Sequence, residues 1–175
     1  MANHSGIEPF VVQVPEAVLR DLRERLARTR WPDESPDAGW DYGTTLAYLR
    51  GLVAYWHEAY DWRAHERLLN GFHHYRALVD GLRLHFIHEP GVGPHPLPLL
   101  LCHGWPGSVY GFHKIIGPLT EPARYGGDPQ DAFSAVAPSL PVNGFSDRPH
   151  ERPMTIGRIA TLFAAPHEGR CLSTA

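Results

Sequence analysis

The sequence predicts an α/β chain, in which a helical meander over residues 1–70 leads into the first strands and helix of a sheet. Three observations carry this reading. Apolar residues recur at helical spacing up to residue 69, the pattern then changes to two short strand-like runs hinged on Asp80-Gly81, and an apolar run at 97–102 leaves through a Gly/Pro-rich loop into a further helical stretch. Pro and Gly number 17 each and crowd into the half after Pro90, so that half is expected to be rich in loops.

Taken in order, Pro15-Glu16 opens the first helix, with Val18, Leu22 and Leu26 at i, i+4 and i+8. Asp21 with Arg25 and Glu24 with Arg28 have the spacing of helical ion pairs. Trp31-Pro32 stops that helix, and 33–39 is a loop by composition. A second helix starts from Thr44 or Thr45 as cap and carries Leu46, Leu49, Val53 and Trp56, and Asp61 caps a third through Leu69. Residues 72–79 and 82–88 form a hairpin, because Asp-Gly favours the type I′ turn whose twist matches the strands. The run 97–102 suits a central strand buried on both faces, with Pro98 restricting only its start. Ser108 caps a helix presenting Val109, Phe112 and Ile116 and ended by Gly117-Pro118; 132–137 is another short strand.

Composition narrows the functional classes. Sixteen basic against nineteen acidic side chains give a net charge of −3, which disfavours non-specific binding to nucleic acid. Two cysteines provide neither a disulfide framework nor a thiolate zinc site, and no run approaches the roughly 18 apolar residues of a membrane span. A cytoplasmic protein is expected. Twelve histidines invite a metal hypothesis, but His73 and His74 point to opposite faces of a strand, as do His85 and His88, and no acidic cluster accompanies them. Trp31, Trp40, Trp56 and Trp62 with Tyr48, Tyr55 and Tyr60 read as packing aromatics, not as a ligand cage, and Glu58, Asp61 and Glu66 as a solvated or ion-paired helix face.

The chemistry concentrates at His103-Gly104-Trp105-Pro106-Gly107-Ser108. A loop at the carboxyl end of a parallel strand that opens into a helix N-terminus is where α/β proteins place ligands, and its glycines allow close approach of backbone N–H groups. The aromatic-proline bond Trp105-Pro106 is a candidate for the cis form.

Six segments, LLLCHGWPGSVYGF, RTRWPDE, YDWRAHERLLN, GLRLHFIHE, GGDPQDAFSAVAPSLP and NGFSDRP, together resemble the epoxide hydrolases of the microsomal type, from about Phe10 to Ala165. The resemblance implies an epoxide hydrolase N-terminal helical region over 1–70 and an incomplete α/β-hydrolase core over 71–165. It implies hydrolysis of a small-molecule epoxide to a vicinal diol with no cofactor and no metal. An aspartate opens the epoxide to an ester, a histidine backed by a carboxylate activates water, and two lid tyrosines donate to the epoxide oxygen. His103-Gly104-Trp105-Pro106 matches the family's HGxP motif, so the Trp105 N–H would belong to the oxyanion hole and His103 would shape the loop instead of acting as the base.

The same resemblance implies that the catalytic groups are not in this chain. The family's nucleophile elbow follows the helix begun at Thr155, and lid, acid partner and base histidine follow the elbow; Asp128, in Gly126-Gly127-Asp128-Pro129, belongs to an upstream loop. Ser108 and Ser139 lie outside any G-x-S-x-G and so make a poor case for an esterase. Residues 166–175 abandon the helical period and are expected to be an aberrant, disordered tail. Pro166-His167-Glu168 encoded as CCT CAT GAG begins Leu-Met when read one base later, which suggests a shifted frame. Pro141-Val142-Asn143-Gly144 departs from the family's Pro-Gly-Tyr-Gly-like turn. The expected function is an N-terminal fragment of an epoxide hydrolase without turnover of its own. The alternative is a non-catalytic interaction module or relic that pairs with itself through an open sheet edge.

Overall fold

A computed structural model describes residues 6–37, 39–149 and 153–165. In chain order the elements are β1 (Ile7–Phe10), α1 (Glu16–Ala27), α2 (Leu46–Glu58), α3 (Trp62–Leu69), β2 (His74–Val79), β3 (Leu82–Glu89), β4 (Leu97–Leu100), α4 (Ile116–Thr120), β5 (Phe133–Pro138) and α5 (Ile156–Ala165). Short 3-10 turns occupy Val109–Phe112, Pro122–Tyr125 and Pro129–Asp131. The expected tail at 166–175 lies outside the described residues. The chain divides into two compact units, residues 12–67 and the remainder.

In the helical unit, α1 begins after Pro15, and both expected ion pairs form, Arg25 with Asp21 at 3.7 Å and Arg28 with Glu24 at 3.4 Å. Its inward stripe is rotated by one residue from expectation: Leu19 is buried and Val18 is exposed, so the face runs Leu19, Leu22, Leu26 at i, i+3, i+7. Thr45 caps α2, its hydroxyl accepting the Tyr48 N–H at 3.3 Å, and Asp61 Oδ1 caps α3 by accepting the Ala64 N–H at 3.1 Å. No residue of α2 is fully buried; Trp56, expected on its packing stripe, is exposed.

The other unit is a five-stranded sheet in the order β1-β2-β3-β5-β4, antiparallel except for the parallel pair β4–β5. Asp80 (φ 48°) and Gly81 (φ 77°) both lie in the left-handed region, as a type I′ turn requires, and they set the register Val79↔Leu82 through His74↔Ile87. Alternation along β3 then sends Leu84 and Phe86 to one face of the sheet and His85 and Ile87 to the other. On the first face Leu82 and Leu84 pack with Leu162 and Phe163 of α5, and on the second Ile87 and Ala137 pack with Val109 and Ile116.

Two expectations need correction here, and two further features were not anticipated. Strand β4 is an edge strand, not a central one, and Leu97 is 62% exposed, because among the described residues it pairs only with β5. Gly117-Pro118 does not end the helix that Ser108 caps. That stretch breaks into a 3-10 turn and α4, and Pro118 sits within the first turn of α4, where a missing N–H costs no helical bond. The strand Ile7–Phe10 had no sequence expectation. The turn Pro141–Gly144 places Val142, a β-branched residue, at φ 76°.

Candidate functional site

Strands β4 and β5 run parallel, and the Leu101 N–H donates to Val136 O at 2.8 Å, carrying the pairing one residue past β4 before the chain turns at His103. The turn is tight: the Gly107 N–H donates to Gly104 O at 2.6 Å, and a Cβ on Gly107 would stand 2.9 Å from that oxygen, so the position excludes a side chain. The Trp105-Pro106 bond is cis. Ser108 is extended, and its hydroxyl accepts the Tyr110 N–H at 3.3 Å, opening the 3-10 turn. Trp105 is 84% exposed, and among the described residues its N–H has no acceptor.

His103 pins this loop to the exit of β5. Its Nε2 accepts the Leu140 N–H at 3.1 Å and its Nδ1 lies 3.4 Å from Gly104 O. The first bond needs a bare Nε2, so the imidazole is neutral with its proton on Nδ1, directed at its own loop.

A second group of histidines lies behind. His74 Nε2 is 2.7 Å from Leu69 O, His74 Nδ1 is 2.9 Å from His85 Nε2, and His85 Nδ1 is 2.9 Å from Ser139 Oγ, with all three side chains buried. Phe10 and Phe145 meet the His85 ring edge-on at 5.2 and 5.1 Å. Burial lowers the pKa of His74, and burial together with His74 and Arg76 lowers that of His85 to about 3. Sequence reasoning compared histidines along each strand and missed this pair across two strands, and it weighed Ser139 only as a nucleophile. The signal was present in the hairpin: a two-residue turn at Asp80-Gly81 sets Arg76 opposite His85, which places His74 diagonal to His85 on one face.

Residues 7–112 match the family model described as epoxide hydrolase N terminus. The chain belongs to the epoxide hydrolase family. Its sequence is 48% identical over 159 residues to a Stigmatella aurantiaca protein provisionally named an epoxide hydrolase, covering 91% of this chain and 36% of that one. It is 33% identical over 166 residues to epoxide hydrolase 1 of Sus scrofa, covering 93% and 37%. The crystal structure of juvenile hormone epoxide hydrolase from the silkworm Bombyx mori superposes with a TM-score of 0.81 at 30% identity, covering 96% of this chain and 44% of that one. The chain thus spans little more than a third of the length of the curated relatives it matches and carries a partial α/β-hydrolase fold.

Within this epoxide hydrolase chain the remaining candidates have local roles. Asp128 is exposed and caps a 3-10 turn, accepting the Gln130 N–H at 2.9 Å. Glu66 is ion-paired, to Arg63, and not solvated. It is buried and accepts from Val14 N–H at 2.7 Å, Arg63 at 2.6 Å and Trp62 Nε1 at 3.2 Å, and against the opposing pull of desolvation these bonds hold its pKa below the usual carboxylate range. The aromatics expected to pack are partly on the surface: Trp40 and Tyr48 meet edge-on at 5.3 Å while both stay exposed. Among the described residues no three His, Cys, Asp or Glu side chains gather as metal ligands, and no helix is long and apolar enough to cross a membrane. An apolar recess bounded by Ala77, Leu84, Phe86, Leu100, Val136 and Phe163 lies on the α5 face of the sheet and has no polar lining to support chemistry.

Proposed function

We propose that this chain supplies the oxyanion-hole loop of a cytoplasmic epoxide hydrolase and that turnover requires polypeptide beyond it. The N-terminal helical region is taken as lying within residues 1–70, apart from β1, which joins the sheet, and the incomplete hydrolase core as 71–165. The observation that carries the reading is the turn His103-Gly104-Trp105-Pro106 at the end of a parallel strand, tied to Leu140 by His103 while the Trp105 N–H has no acceptor among the described residues. In the two-step reaction a carboxylate attacks an epoxide carbon, the C–O bond breaks, and the alkoxide is protonated, leaving a hydroxy ester. Water then adds to the ester carbonyl, the negative charge collects on its oxygen, and collapse releases the diol and restores the carboxylate. The Trp105 N–H would donate to that oxygen, and a fixed donor of this kind is worth about 10² to 10³ in rate. Nucleophile, lid tyrosines, acid partner and base histidine belong to the polypeptide that completes the site. No cofactor and no metal enters the scheme.

The test is a chimera joining residues 7–165 to the remaining length of the Stigmatella relative, assayed for conversion of styrene oxide to its diol beside the chain alone. The chimera is expected to turn over and the chain alone is not. Turnover by the chain alone, or a folded but inactive chimera, would overturn the proposal. The exposed edge of β4 favours a second reading, self-association as a non-catalytic module, for which concentration-dependent dimers in sedimentation are the expected result.

A further inference from the structure

We propose that Ser139, His85 and His74 form a one-directional hydrogen-bond relay that, with His103, fixes the main chain at Ser139-Leu140 against the HGWP loop, so that His85 and His74 are positioning residues for that loop. The inference rests on the oxyanion-hole reading above for its functional meaning and on geometry for its existence.

The direction follows from one end. Leu69 O has no proton to give, so His74 Nε2 must be the donor across their 2.7 Å contact. In neutral His74 the Nδ1 is then an acceptor, and the proton in the 2.9 Å contact comes from His85 Nε2. His85 Nδ1 is left as an acceptor, and the Ser139 hydroxyl donates to it at 2.9 Å. Every ring nitrogen is satisfied in one neutral proton arrangement; with those tautomers and that hydroxyl direction kept, a second proton on either ring leaves two N–H groups facing each other or two donors at one contact. The groups around the relay oppose such a proton. Arg76 on β2 stacks over Phe10 at 4.2 Å and donates to Phe145 O at 2.9 Å, placing a fixed positive charge beside His85. His73, one residue before β2, pairs with Glu89 at 3.0 Å; a charge on His73 opposes a proton on His74, whereas that of Glu89 favours one.

The far end is a backbone lock. Ser139 is fully buried; its N–H donates to His85 O at 2.9 Å, and its carbonyl accepts from Ser146 Oγ at 2.9 Å, while Ser146 Oγ accepts the His85 N–H at 2.9 Å. Ser139 is thus held by side chain, amide and carbonyl, and the next amide, Leu140, is the one that His103 accepts. The two ends of the HGWP contact are a loop that turns tightly on itself and a residue clamped by the relay. Shifting Ser139 moves the Leu140 N–H and with it the only main-chain donor that His103 Nε2 meets among the described residues.

The experiment is long-range ¹H–¹⁵N correlation of the histidine rings in the ¹⁵N-labelled chain at pH 7, in the wild type and in S139A. In the wild type His74 and His85 are expected as Nε2–H tautomers, His103 as Nδ1–H, with a ¹⁵N–¹⁵N coupling across the hydrogen bond from His85 Nε2 to His74 Nδ1. In S139A the His103 ring nitrogens and the Leu140 and Trp105 amides are expected to shift, while His113, which bonds Tyr110 O locally at 2.7 Å, stays in place. An Nδ1–H tautomer at His74 or His85, or His103, Leu140 and Trp105 signals unmoved in a folded S139A, would overturn the proposal. If S139A fails to fold, the wild-type tautomers and coupling decide alone. A relay that merely staples β3 to β5 would leave the His103 ring unmoved. An inactive chimera in the styrene oxide assay alters none of these signals, so the two proposals fail separately.

Discussion

Lowering the pH from 7 to 5 will weaken this fold through His85. Its imidazole is fully buried, and burial, reinforced by the neighbouring His74 and Arg76, moves its pKa from 6.5 to about 3. Between those values the unfolded chain carries a proton that the folded chain refuses, so stability falls as the pH falls. The contribution of the neutral ring is complete above pH 6.5, declines by ~1.4 kcal/mol per pH unit below it, and levels off only near pH 3. From His85 alone the loss is about 2 kcal/mol at pH 5 and about 3 kcal/mol at pH 4. His74 and His88, whose pKa values burial also lowers, act with the same sign. The carboxylates act in a different window. Asp147, held below 3.8 by Arg83 against the pull of desolvation, is still ionised at pH 5 and loses its contribution only as the pH falls below about 4. The assay is urea unfolding followed by circular dichroism at constant ionic strength. With a slope of roughly 2 kcal/mol/M, the midpoint should drop by about 1 M between pH 7 and 5. H85Q should be less stable at pH 7 but show a flatter pH dependence. A wild-type midpoint that does not move between pH 7 and 5, or an H85Q protein retaining the full slope, would refute the reasoning.

Three further outcomes are expected. V142G should stabilise the chain by about 1 kcal/mol in urea, because a β-branched residue at φ 76° carries strain of ~1–2 kcal/mol that glycine does not, less the entropy glycine adds to the unfolded chain. E66Q should cost about 2–3 kcal/mol, read as a lower thermal midpoint, since the buried carboxylate answers three donors, one of them charged. G107A should reduce styrene oxide turnover of the chimera by about 10-fold or more with little effect on substrate binding, because the added methyl meets Gly104 O at 2.9 Å and displaces the Trp105 donor needed in the second step.

What was legible in the sequence was whatever a local rule decides. Asp80-Gly81 sets the hairpin register, Thr44 or Thr45 and Asp61 are the caps on offer, of which Thr45 and Asp61 act, and Gly104, Pro106 and Gly107 mark the tight turn. The errors share a different cause. Val18 and Leu19 are both apolar, and only the packing partner decides which of two adjacent positions turns inward. Glu66 is ion-paired as its helix face allows, but its burial depends on Val14, fifty-two positions away, which brings its amide. The relay needs contacts from β2, β3 and the turn after β5 at once, and no periodicity along one strand reports such a meeting. The residues of the turn His103–Pro106 are contiguous; the residues that hold it are not.

Strand β4 has one paired edge and one open edge, and the two differ in what they can bind. Its composition is that of a strand with neighbours on both sides, yet among the described residues it has one. The Leu97 and Leu101 amides point to β5, donating to Ala132 O and Val136 O, so by alternation residue 98 and Leu100 present the opposite edge. Pro98 has no N–H to offer, and the open edge therefore begins its donor row only at Leu100. A strand adding to β4 gains main-chain bonds at the end adjoining His103-Gly104-Trp105-Pro106 and little at the other. An edge blunted at its start and competent beside the loop is poor for indiscriminate pairing. It is well placed for one strand whose own end lies next to the Trp105 N–H, as the proposed ester-hydrolysing site would require.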